Sequence, residues 1–67
     1  MKVVYLPASF PAMVLISFEV KCIGDLYDPI LNMRTRIWEI PEEQVGRLSS
    51  ICEEMEIPFR VTERWAE

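Results

Sequence analysis

The sequence predicts a two-layer α+β sandwich, a four-stranded β-sheet with one amphipathic helix in the order β-β-β-α-β. Three observations predict it. Val45, Leu48, Ile51, Cys52 and Met55 recur at spacings of three and four, an apolar arc of about 120° on a helix. Short apolar or alternating segments bounded by proline and glycine surround that helix and read as strands. The chain has 67 residues, 51% of them apolar and 27% charged, which is too apolar for a disordered segment and enough for one domain over 1–67.

The first strand is "KVVYLP", residues 2–7, β-branched and aromatic and stopped by Pro7. "PASFP" follows, and two prolines in five residues exclude regular structure. The second strand is expected over 12–23, ending at Gly24-Asp25. Val14, Ile16, Phe18, Val20 and Cys22 alternate there against Ser17, Glu19 and Lys21. Met13 and Leu15 fall on the face of Ser17, Glu19 and Lys21, so this strand is apolar on both faces at its start. One helix does not cover four strands. Met13 and Leu15 are therefore expected on the uncovered side, as the contact of a homodimer.

Residues 25–33 carry Asp28-Pro29, an N-cap and first-turn pair, which suits a single helical turn over 29–32. Leu26, Tyr27, Ile30 and Leu31 are large apolar groups for a loop and form a candidate partner-binding anchor. The third strand, 34–40, puts Arg34, Arg36, Trp38 and Ile40 on one face and Thr35, Ile37 and Glu39 on the other.

The helix spans 41–56. Pro41 suits its first position, and Glu42 and Glu43 suit the positive end of its dipole. Glu43 and Arg47 form an i, i+4 pair of about 0.3 kcal/mol. Glu53, Glu54 and Glu56 crowd the end where the dipole disfavours anions, at a cost of about 0.5 kcal/mol. The fourth strand is 57–62, with Pro58 marking an edge, and 63–67 is a polar tail with one tryptophan. The third strand, helix and fourth strand form either a parallel βαβ crossover or a helix returning onto an antiparallel meander. In architecture alone, with no motif behind it, the order resembles half of a ferredoxin-like module.

Composition removes several function classes. There is no histidine, and Cys22 and Cys52 are the only cysteines. Those two do not close a zinc site from the usual ligands. Both fall on inward faces of the expected elements and read as free, buried thiols, with a Cys22–Cys52 bridge as the alternative. Cys52 has no histidine base. The two glycines exclude a phosphate-cradling loop, and no calcium-loop spacing is present. The paired glutamates lie on a helix surface rather than in a cleft. No enzyme, metal or cofactor is expected.

The longest apolar run, 12–16, is far short of the ~20 residues of a membrane span, and the N-terminus lacks a signal-peptide pattern. A cytoplasmic protein that binds no membrane is expected. Net charge is −4, with three basic and eight acidic residues in 39–67. That excludes direct nucleic-acid binding through Arg34, Arg36 and Trp38, and it suits a protein partner with a basic surface.

Glu42 and Glu53 share one helix azimuth and Glu43 and Glu54 another, each pair about 16 Å apart along the axis. With Glu56 they form a candidate partner-binding face able to occupy a basic groove. The expected function is a non-enzymatic binding protein that modulates or inhibits a larger protein. Its most concrete form is a viral or mobile-element anti-defence (anti-CRISPR-like) or host-takeover inhibitor. The alternative is a homodimeric structural or regulatory module with no inhibitory role.

Overall fold

The computed structural model of the protein describes residues 1–63, so the rest of the polar tail, with its tryptophan, lies outside the described residues. Strand β1 is Lys2–Pro7, followed by a 3-10 helix, Ala12–Ser17. Strands β2 (Lys21–Asp28) and β3 (Met33–Ile40), helix α1 (Glu42–Glu54) and strand β4 (Arg60–Thr62) complete the order. The four strands make one antiparallel sheet in the order β2-β3-β1-β4. This is the expected α+β fold, with its order β-β-β-α-β.

The two-faced strand expected over 12–23 forms only over 21–23, and β2 runs on through the expected Gly24-Asp25 turn to Asp28. Residues 12–17 wind as a 3-10 helix, with the Val14 amide donating to the Pro11 carbonyl at 3.1 Å and the Phe18 amide to the Leu15 carbonyl at 3.0 Å. Side chains three apart eclipse in such a helix. Leu15 and Phe18 therefore both turn into the core, 6% and 7% exposed, while Met13 and Ile16 both turn out, 81% and 80% exposed. A period of two and a period of three are hard to separate over six residues, and β-branched Val14 and Ile16 tilt the reading toward strand.

Topology gives the physical reason for the correction. β1 and β2 are both antiparallel to β3, which lies between them, so they run parallel to each other and the chain must cross over β3 to join them. β3 and β4 are likewise parallel with β1 between them, and α1 makes that crossover. The parallel crossover expected for β3, α1 and β4 therefore forms, with β1 inserted between its two strands, and the antiparallel-meander alternative does not. Two interlocked split β-x-β units are the arrangement of ferredoxin-like modules. The 3-10 helix stands where the first helix of such a module would, so the resemblance in strand order runs from β1 to β4 rather than over half a module.

The sheet is apolar on both sides. Toward α1, Val4, Leu6, Leu15, Phe18, Ile40, Leu48 and Cys52 form the larger core, with Trp38, Val45, Ile51, Ile57, Phe59 and Val61 packed around it. On the second face Val3, Tyr5 and Ile37 form a smaller cluster against Ile23, Leu26 and Leu31. Consecutive residues of β1 thus supply opposite cores, as the alternation of a strand requires, which is why Val3 to Leu6 are all buried. Each large apolar side chain removed from water contributes about 1.5–3 kcal/mol.

Helix α1 ends two residues before the expected boundary, in a Schellman motif. The Ile57 amide donates to the Cys52 carbonyl at 2.8 Å and the Glu56 amide to the Glu53 carbonyl at 3.1 Å. Glu56 takes the left-handed conformation this motif needs, with φ 58°. Met55, expected on the apolar arc, caps the helix and is exposed. The exit occupies 57–59, so β4 is three residues long rather than six, although Ile57, Phe59 and Val61 still reach the core.

Candidate functional site

The expected glutamate face forms on α1. Glu42, Glu43, Glu53 and Glu54 are all exposed, as is Glu56 just beyond the helix. None of the five has an ion-pair partner among the described residues. The expected Glu43–Arg47 pair does not form. Arg47 leans the other way, its guanidinium carbon 4.5 Å from the Phe18 ring centroid and one amino group donating to the Ser17 carbonyl at 3.3 Å. Gln44 accepts from the Glu19 amide at 2.9 Å, so this side of α1 fastens the segment after the 3-10 helix and leaves the glutamates to solvent. Gly46 lies between the two glutamate rows. A Cβ there would meet nothing within 4 Å, so packing gives no reason for its roughly 1 kcal/mol helix cost.

The expected apolar loop is divided by the structure. Residues 29–32 are the turn of the β2–β3 hairpin rather than a helical turn in a loop, with Asn32 left-handed at φ 60° and its amide donating to the Asp28 carbonyl at 2.6 Å. Leu26 and Leu31 pack on the second-face cluster. Tyr27 and Ile30 stand out, 50% and 71% exposed, with the Tyr27 hydroxyl hydrogen-bonded to Asn32. The loop lies on the sheet face opposite α1. A partner seated on the glutamate rows does not meet it, and the two candidate surfaces are not brought together.

Sequence reasoning missed the feature that organises the second face. Asp28 ends β2 and Arg60 begins β4, at opposite edges of the sheet. Arg60 reaches across β1, its guanidinium carbon 3.9 Å from the Tyr5 ring centroid. Its Nε donates to Asp28 Oδ2 at 2.7 Å and its NH2 group to Oδ1 at 3.1 Å. Asp28 is fully buried, and Oδ1 also accepts from the Ile30 amide at 3.2 Å. The Arg60 hydrogen bond, above all, holds the Asp28 carboxyl below the usual carboxylate range, and Asp28 in turn raises Arg60. Tyr27, Ile30, Tyr5 and this pair line a cavity of about 360 Å³. Both carboxylate oxygens are satisfied, so the pair is a strap across the sheet. The sequence signal is faint: Asp28-Pro29 marks a turn, but nothing in the chain links it to an arginine 32 residues away.

The remaining candidates fall as follows. Leu15 is buried, so the expected Met13–Leu15 dimer contact is not one surface; Met13 shares the outside with Ile16 instead. Cys22 is exposed on edge strand β2, beside a bulge, and not inward as expected. Cys52 is buried, and burial, with a smaller push from Glu53, raises its thiol above the usual range, away from a nucleophilic thiolate. Both thiols are free. Arg34 pairs with Asp25 at 2.9 Å, which takes one cation from the Arg34–Arg36–Trp38 face. Lys2 and Glu63 pair at the other end of the sheet, raising the lysine and lowering the glutamate.

Among the described residues no three carboxylate or thiol groups are placed to share a metal ion, and no helix is long and apolar enough to cross a membrane. Comparison with protein-family models, curated proteins and solved structures gives no match. Three surface features stand out among the described residues: an anionic helix face without ion-pair partners, an exposed apolar pair on the 3-10 helix, and a strapped second face.

Proposed function

We propose that the protein is a non-enzymatic binding protein that modulates or inhibits a larger protein by laying the glutamate rows of α1 on a basic surface. The supporting observation is the helix itself. Its four glutamates are exposed without ion-pair partners among the described residues, and the bare Gly46 lies between their rows. Glu53 and Glu54 also oppose the helix dipole. A helix serving only stability gains by exchanging them for lysine, and a binding face explains their retention. The most concrete form of this reading is a viral or mobile-element inhibitor that fills the nucleic-acid groove of a host enzyme.

The test is the double charge reversal Glu53→Lys with Glu54→Lys. It removes the dipole conflict, so lost binding is not lost folding. Affinity capture of partners from host lysate is compared for the two proteins across a salt series. Loss of a salt-sensitive partner in the variant supports the reading. An unchanged set of captured proteins overturns it.

A second reading has its own observation. Met13 and Ile16 are apolar, adjacent on one side of the 3-10 helix and about four-fifths exposed, which suits a homodimer seam in place of the expected Met13–Leu15 contact. Light scattering over a concentration series, with Ile16→Lys as the control, tests it. A concentration-independent monomer removes it.

A further inference from the structure

The end of α1 meets the β1–3-10 link and the start of β3 in a groove of about 220 Å³, walled by Pro7, Phe10, Pro11, Met33 and Ile57. Proline rings and an aromatic ring are stiff walls that lose little freedom when covered, and a methionine adapts to what lies against it. The groove has one charged side chain, Glu56. That residue has no ion-pair partner among the described residues. A largely apolar groove whose lining holds Ser9 and one carboxylate residue, Glu56, complements a long side chain with an apolar stem and a cationic end.

We propose that this groove receives an arginine side chain of the protein partner. Its methylenes lie along Pro7, Phe10, Pro11 and Ile57, and its guanidinium pairs with Glu56. Arginine fits better than lysine here: its planar fork takes a lone carboxylate bidentately, and its weaker hydration eases entry between apolar walls. Glu56 lies two residues past the end of α1, close in the chain to Glu53 and Glu54, so a partner held by those two glutamates is brought close to the groove. The inference deepens the binding reading above and rests on it for the partner's class.

The experiment is an NMR titration of the isotope-labelled full chain with N-acetyl-arginine methylamide, with the lysine and norleucine analogues alongside. The arginine probe is expected to shift the amide signals of Phe10, Met33, Glu56 and Ile57. It should bind at least about fivefold more tightly than the norleucine probe, the size of one favourable ion pair. Glu56→Gln should remove that difference. Glu56→Gly should remove it too while raising Tm, which separates lost binding from lost folding. Equal binding of the arginine and norleucine probes, or shifts spread along Glu42 to Glu54 instead of the groove, overturns the proposal. Tighter binding of the lysine probe overturns the choice of arginine. If the groove fails these tests while the Glu53/Glu54 reversal still releases the partner, the acidic-face reading stands and this inference alone falls.

Discussion

Arg60→Met replaces the cation of the Asp28–Arg60 strap with an apolar side chain of similar length. It removes two charge-assisted hydrogen bonds, at 2.7 and 3.1 Å, and the guanidinium stacked on Tyr5. Breaking a buried ion pair by removing one partner costs about 3–5 kcal/mol, because the other charge is left in the interior. Two facts put this case at the lower end. The Arg60 side chain is 22% exposed, and Asp28 keeps the Ile30 amide. The expected loss is about 3 kcal/mol, from a total of roughly 3–10 kcal/mol for a domain of this length.

The pH dependence carries the sharper signature. In the native protein the Asp28 carboxyl titrates below its unfolded value, so its contribution is present above the unfolded pKa and is lost as pH falls through the depressed folded pKa. In Arg60→Met the carboxylate is buried without its cation, which pushes its pKa above the unfolded value. The folded variant then binds the proton more tightly than the unfolded chain does, and acidification from neutral stabilises it through this group. Urea unfolding followed by tryptophan fluorescence, at pH steps from 7 to 3, reads both effects. The native-minus-variant difference cancels the titration of the surface glutamates. The difference should be largest at neutral pH and shrink on acidification. A loss under about 1 kcal/mol that does not change with pH would refute the reasoning, since it would mean that Asp28 is hydrated rather than buried.

Three further outcomes are expected. Gly46→Ala should raise stability by about 1 kcal/mol in a denaturant melt, because the new Cβ meets nothing within 4 Å; a loss would mean that the helix backbone there is not regular. Leu15→Ala should cost about 2–5 kcal/mol, while Ile16→Asp should cost less than about 0.5 kcal/mol; the reverse order would restore a strand over 12–17. Glu56→Gly should stabilise the fold by about 1 kcal/mol, relieving a left-handed non-glycine residue and removing an anion from the helix end; an unchanged melting temperature would count against the Schellman exit.

Much of the candidate site was legible in the chain, because the glutamate rows need only the helix period. Once Val45, Leu48 and Cys52 face the sheet, Glu42, Glu43, Glu53 and Glu54 must face water. The groove at Glu56 was not legible. Its walls come from residues 7–11, 33 and 57, three segments that meet only when the β1 and β3 ends lie beside the helix exit. Nor was the strap, since Asp28 and Arg60 face each other across two intervening strands.

The sequence by itself determined what depends on neighbours along the chain: β1 from its β-branched run, β3 from its alternation, and α1 from its three-and-four spacing. Only the tertiary structure decided the strand order, the short 3-10 crossover and which apolar residues of 12–17 point inward. The reason is geometric. With β3 seated between β1 and β2, the link between them must pass over the sheet, and an apolar stretch equally able to alternate or to coil takes the form that carries Leu15 and Phe18 down onto the core.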